Sequence, residues 1–195
     1  AQPGDLAPAK VAEELDRSLE RLRTDYVDLY YAHRDDETTP QDEAAAGFGA
    51  LVEAGKVREL GASNYTLERL RSLNEASHRG GTKPFTILQN EYNLVERNGF
   101  ASDLQRYCIE TQIAMLPWFG LAAGFLTGKY RSRNDLEVHN RGSSIERFFD
   151  KGLTVLPALD AVVEETGASH GAVALAWLLA QPGIYAPIAS AREPG

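Results

Sequence analysis

Apolar positions in this chain switch between two spacings, and the switches mark out its elements. Val11, Leu15, Leu19 and Leu22 recur every three to four residues with charged residues between them. That pattern predicts an amphipathic helix over residues 8–22, with Pro8 in its first turn. Residues 26–33 are dominated by aromatic and β-branched side chains and predict a buried strand, followed by the charged turn Arg34-Asp35-Asp36. On a period of two, His33 shares a face with Val27, Leu29 and Tyr31 and stands at the strand's carboxyl end. Thr39-Pro40-Gln41-Asp42 then predicts a helix start, with Thr39 as N-cap, Pro40 at the first position and Gly55 as a left-handed stop.

The same reading carries along the chain. Strands are predicted over 56–61, 85–89, 113–117 and 186–189, and helices after Thr66, around 101–110, over 154–166 and over 169–180. Gly167 stops the first of the last two helices and Ser169 caps the second. Residues 118–130 read as a glycine-rich turn. Residues 131–152 are polar and irregular, and their length predicts a functional loop or lid. Strands and helices alternate with short connections, which implies an α/β protein with parallel strands and right-handed crossovers in a single domain over 1–195. Two architectures satisfy this order: a doubly wound five-strand sheet, or a (β/α)8 TIM barrel of which these residues supply about the last five strands. No strand is followed by the Gly-x-Gly-x-x-Gly of a dinucleotide fold.

Charge and composition narrow the chemistry. The 195 residues carry a formal net charge of -8, which argues against nucleic acid as the main partner. No apolar run is long enough to span a membrane. The single cysteine, Cys108, forms no internal disulfide, and this usage predicts a reducing, cytoplasmic setting. His78, His139 and His170 lack metal-ligand spacing, so no metal site is expected.

The residues gathered at the carboxyl ends of the predicted strands share a character. They are His33, Ser63 and Asn64, Gln89, Trp118 with Phe119, Gly120 and Leu121, and finally Ser190 and Arg192. Hydroxyl and amide groups suit a carboxamide, an indole suits a flat ring, and backbone donors with an arginine suit phosphate. Ligands of parallel α/β sheets and barrels bind at this end. Each residue also has a plainer reading: Ser63-Asn64 as a helix cap, Trp118 as core packing, Arg131 and Arg133 as solvated charges.

The segments Asp25-Tyr26-Val27-Asp28-Leu29-Tyr30-Tyr31-Ala32-His33, Gly55-Lys56-Val57-Arg58-Glu59-Leu60-Gly61-Ala62-Ser63-Asn64, Gln89-Asn90-Glu91-Tyr92-Asn93 and Leu121-Ala122-Ala123-Gly124-Phe125-Leu126-Thr127-Gly128-Lys129-Tyr130 together resemble the aldo-keto reductase family. The resemblance runs from about residue 8 to the end and covers the family's third helix through its eighth strand. Its long polar loop resembles those of the bacterial and potassium-channel β-subunit branches. The resemblance implies a (β/α)8 barrel that reduces an aldehyde or ketone with NADPH by direct hydride transfer. It implies that His33 is the active-site histidine, that Ser63, Asn64 and Gln89 hold the nicotinamide carboxamide, and that Trp118 stacks on the ring. Phe119, Gly120, Leu121, Ala122 and Ala123, with Lys129 and Arg141, match the strip around the pyrophosphate and ribose. Ser190 and Arg192 match the start of the adenosine 2′-phosphate segment.

Two departures qualify the match. The family's usual Ser-Pro after the aromatic is Phe119-Gly120 here, so any phosphate contact at that point must come from the backbone. The family's catalytic tyrosine, aspartate and lysine match nothing in this sequence, and residues 1–195 alone are expected to be inactive. A nucleotide-binding regulatory subunit with little turnover is the alternative reading; His33 favours the enzyme, since the channel branch lacks a histidine there.

Overall fold

Helix and strand propensities are realised in turn along a chain that divides into two compact units, residues 1–89 with 106–114 and residues 90–105 with 115–195. The computed structural model describes residues 3–100, 102–138 and 142–190. In the first unit, β1 (Val27–Ala32), β2 (Val57–Ser63) and β3 (Phe85–Gln89) lie side by side in that order, all parallel. The register pairs Tyr31 with Gly61 and Ser63 with Gln89. A side chain at position 61 would place its Cβ 2.5 Å from the Tyr31 ring, so only glycine lets that ring lie across the sheet.

The helices α1 (Pro8–Leu22), α2 (Gln41–Glu53) and α3 (Leu67–Gly80) connect these strands. The stripe read from the sequence is the buried one: Val11, Leu15 and Leu19 are buried, while Leu22 faces solvent. Phe48 of α2 lies with ring centroids 5.7 Å from Tyr30 of β1 and 5.3 Å from Phe85 of β3. Burial of each such side chain contributes about 2–3 kcal/mol. Asn74 of α3 fixes the start of β3 by accepting from the Phe85 amide at 2.8 Å and donating to its carbonyl at 3.1 Å. Thr66 caps α3 by accepting from the Arg69 amide, and Gly55 has a φ of 72°, both as the sequence predicts. Thr39 differs. Pro40 occupies the N-cap position of α2 without a side-chain cap bond, because the Thr39 hydroxyl donates instead to Asp36, at 2.6 Å.

The chain passes between units after Gln89 and again within α4 (Asp103–Glu110) and β4 (Ala114–Met115). In the second unit a tight 3-10 segment (Ala122–Thr127) is followed by α5 (Asn134–Val138), α6 (Gly142–Thr166) and α7 (His170–Leu179). Their core is aromatic, with Phe125, Tyr130, Phe148 and Phe149 buried among Ile145, Leu156 and Leu159. The predicted polar loop over 131–152 is therefore largely helical. Ile145, Phe148 and Phe149 continue, on helical spacing, the apolar face predicted only from residue 154 onward. The predicted strand over 186–189 is also corrected. Ile184 forms an isolated bridge to Met115, and Ile188 donates to the Pro117 carbonyl at 2.9 Å. Pro187, which has no amide hydrogen, interrupts a regular ladder there. The described residues thus hold four regular strands with an extended segment beside Met115–Pro117, rather than five strands.

Candidate functional site

At the carboxyl ends of the first unit's strands, His33, Ser63, Asn64 and Gln89 converge. His33 follows β1 directly and is exposed. Asn64 follows β2 with a φ of 60°, a left-handed conformation that asparagine tolerates better than most residues. Its side-chain amide donates to the His33 carbonyl at 2.9 Å and to the Ser63 hydroxyl at 3.0 Å. The buried Ser63 hydroxyl donates onward to the Gln89 carbonyl at 2.7 Å, and the Asn64 amide donates to that same oxygen at 3.2 Å. One hydroxyl and one carboxamide therefore tie three strand ends together. Both Asn64 side-chain donors are engaged inside this clamp, so what Asn64 offers a ligand is its side-chain oxygen, an acceptor. The side chain of Gln89 lies beside the Tyr31 hydroxyl.

His33 and Tyr30 line a cavity of about 490 Å3 along β1, with Glu14 and Val11 of α1 on its far wall. The tyrosines near it are weaker acids than a free phenol. Burial raises the pKa of Tyr30 and of Tyr31, and Glu14 adds to the first. Tyr65, Tyr92 and Tyr107 are raised by burial as well. An acid catalyst is favoured by the opposite shift.

The loop after His33 is anchored by two groups that patterning did not reveal. Asp35 accepts from the Nε and Nη2 of Arg69 on α3, one edge of the guanidinium, at 2.5 and 2.9 Å. The buried Asp36 carboxylate accepts from the Gly4, Leu6 and Thr38 amides and from the hydroxyls of Thr38 and Thr39. Burial opposes its ionisation, but the Thr38 and Thr39 hydroxyls and the Thr38 and Leu6 amides outweigh that. They hold the carboxyl well below the usual carboxylate range.

The second unit contains the strip from Trp118 to Ala123. Trp118 is half-buried, and its Nε1 has no hydrogen-bond partner among the described residues. Phe119 has a φ of 53°, and its carbonyl accepts from the side chain of the fully buried Asn93 at 3.0 Å. The Asn93 side-chain oxygen in turn accepts from the Val95 and Glu96 amides. Gly120 packs against α7, where a Cβ would stand 2.9 Å from Leu178. Leu121 is half-buried, and Ala122 and Ala123 are buried with left-handed φ values of 49° and 57°. The amides of Phe119, Gly120 and Leu121 donate to no acceptor among the described residues. A run of free backbone amides next to left-handed residues is an arrangement suited to anions.

Lys129 is exposed. Its turn is secured by Arg131, which donates to the Gly128 carbonyl at 2.7 Å and pairs with Asp160 at 2.7 and 2.8 Å. Arg131 first, and then His170 at 2.7 Å, hold the Asp160 carboxyl well below its usual range. Ser190 is exposed at the end of the extended segment. Arg141 and Arg192 lie outside the described residues. Of the residues that sequence reasoning missed, Asn93 lay within the polar cluster that stood out after β3, whereas Asp36 carried only the signature of a charged turn. No group of three or more possible metal ligands occurs among the described residues, and no helix there is long and apolar enough to cross a membrane.

Parallel strands joined by helices, with polar groups collected at the strands' carboxyl ends, define an α/β protein. The profile of the Aldo/keto reductase family matches residues 1–195, and the chain belongs to that family. Among its relatives, the aldo-keto reductase YhdN of Bacillus subtilis is 34% identical over 193 residues, which is 96% of this chain and 56% of YhdN. L-glyceraldehyde 3-phosphate reductase of Escherichia coli O157:H7 is 36% identical over 176 residues, 85% of this chain and 49% of that protein. Versiconal hemiacetal acetate reductase of Aspergillus parasiticus is 31% identical over 184 residues, 92% and 53% of the two chains. The solved glycerol dehydrogenase AKR11B4 of Gluconobacter oxydans superposes with a TM-score of 0.83 at 30% identity, covering 97% of this chain and 57% of that one. The chain spans about half the length of these relatives.

Proposed function

We propose that this chain is part of an NADPH-dependent reductase that converts an aldehyde or ketone to an alcohol by direct hydride transfer. The observation that carries the reading is the clamp of Ser63, Asn64 and Gln89 at the end of β2 and β3, next to His33. A carboxamide needs both a donor and an acceptor held still. The Asn64 side-chain oxygen is the acceptor, held by the two bonds its Nδ2 donates, and the Gln89 side-chain amide is the donor, on a backbone anchored through its carbonyl. Taken by itself, the second unit holds groups of the kind such a cofactor uses: the Trp118 indole, whose Nε1 has no partner among the described residues, and the amides of Phe119, Gly120 and Leu121 for phosphate oxygens. Lys129, Arg141, Ser190 and Arg192 complete the proposed set by charge or hydroxyl, with Arg192 and Ser190 at the 2′-phosphate.

The bound dinucleotide supplies the hydride. His33 donates a hydrogen bond to the carbonyl oxygen and so fixes which carbon faces the donor. The proton acid lies outside the tyrosines described above. The setting proposed is cytoplasmic, and the substrate a small carbonyl compound. Titrating the intact protein with NADPH is expected to change tryptophan fluorescence, with NADH binding more weakly, and NADPH is expected to support turnover of small aldehydes. An unchanged spectrum at millimolar NADPH contradicts the reading; tight binding without turnover replaces it with a regulatory nucleotide-binding subunit.

A further inference from the structure

Arg147 of α6 lies near the side chain of Phe119, the second residue of the strip just described. Its guanidinium lies 5.5 Å from the Phe119 ring centroid and 4.2 Å from that of Phe148. Its two terminal nitrogens donate to the two carboxylate oxygens of Glu91, at 3.0 and 2.7 Å. The members of this pair differ. The Glu91 side chain is 13% exposed and that of Arg147 49%. The Glu91 backbone bridges to Trp118, and Gly99 packs so tightly on it that a Cβ there would stand 2.0 Å from the Glu91 carbonyl oxygen. Glu91 is thus the fixed partner and Arg147 the one with room to move.

A second carboxylate, Glu96, also feels the charge of Arg147, while the strip's backbone is rich in donors. Phe119, Gly120 and Leu121 present three consecutive amides with no described acceptor, and Ala122, Ala123 and Gly124 follow with positive φ. Such a strip attracts anions. The Phe119 ring has no donor for one, but it is a surface on which a planar guanidinium stacks. Arg147 therefore holds a cationic fork beside the side chain of Phe119, the residue that stands where the family usually has serine. In the resting arrangement that fork is filled by a carboxylate, whose geometry a phosphoryl group reproduces.

We propose that Arg147 is an anion-binding residue of this strip, that it takes a phosphoryl group of the dinucleotide, and that Glu91 is the resting partner this group displaces. The inference rests on the dinucleotide reading above. It gives Glu91 a sign opposite to that of a structural ion pair: the carboxylate competes with the ligand and lowers its affinity.

The test is calorimetric titration of the intact protein and its variants with NADPH, with far-UV circular dichroism and melting curves to confirm folding. Arg147→Ala is expected to weaken binding about tenfold, as loss of one charged hydrogen-bonded contact does. Arg147→Lys, which keeps the charge without the fork, is expected to fall between Arg147→Ala and the unaltered protein. Glu91→Gln is expected to tighten binding several-fold. A folded Arg147→Ala protein that binds within twofold of the unaltered one overturns the proposal. So does a Glu91→Gln protein that binds more weakly, which marks the pair as purely structural. Should Arg147→Ala not fold, the affinities of Arg147→Lys and Glu91→Gln decide the matter: Arg147→Lys binding as the unaltered protein does, or Glu91→Gln binding more weakly, overturns the proposal. If the unaltered protein binds no NADPH, the dinucleotide reading fails and takes this proposal with it, a result distinct from variants that bind as it does.

Discussion

Replacing His33 with alanine is expected to slow carbonyl reduction by the intact protein about a hundredfold, while the dissociation constant for NADPH stays within twofold. The split follows from how the strand ends are wired. The His33 backbone is held through its carbonyl by the Asn64 side chain at 2.9 Å, while its imidazole is exposed beside a cavity of about 490 Å3. The imidazole can therefore be removed without disturbing the Ser63–Gln89 bond or the Asn64 oxygen. A donor aimed at a developing oxyanion acts in the transition state, so its loss falls on kcat rather than on binding. His33→Gln, which retains an amide donor, is expected to recover part of the rate. Steady-state kinetics beside calorimetry check both halves, and an unchanged kcat in His33→Ala reduces His33 to a wall residue.

The largest stability effect is expected at Asp36. It is 4% exposed and accepts from three amides and two hydroxyls that join residues 4–6 to the loop after β1. Asp36→Ala leaves those donors with no acceptor and is expected to cost about 3–5 kcal/mol, read as a lowered midpoint in urea. Asp36→Asn keeps the shape but turns one acceptor into a donor, and is expected to cost somewhat less. The sign with pH follows from the depressed folded-state pKa. The unfolded carboxyl titrates near pH 4, so the contribution is complete above that value. It declines as pH falls through and below it, toward the lower pKa of the folded form. The unaltered protein is thus expected to lose stability below about pH 4 more steeply than Asp36→Asn. Parallel acid limbs would contradict this role for Asp36.

What could be read from the sequence, and what could not, follows the range of the interactions involved. Helix α1, strand β3 and the caps at Thr66 and Ser169 are local patterns, and they stand where the spacing put them. His33, Ser63, Asn64 and Gln89 were legible as a group because parallel strands bring their carboxyl ends together. The internal use of the Asn64 donors was not, since it depends on a left-handed backbone at a non-glycine residue. The helix from Gly142 was hidden by its polar start, although Ile145, Phe148 and Phe149 already carried its period. Pro187 turned a β-rich tail into an extended segment. Arg147 was invisible as a site residue because Glu91 lies 56 residues away in the chain and Phe119 on a separate loop.

We propose above that this chain helps position a dinucleotide for hydride delivery to a carbonyl. The most direct measurement is isotopic: NADPH deuterated at the transferring position of C4, an aldehyde substrate, the intact protein, and mass spectrometry of the alcohol. One deuterium bound to the carbinol carbon in each product molecule is the predicted result. An alcohol without deuterium, or NADPH that binds tightly yet is never oxidised, would contradict it.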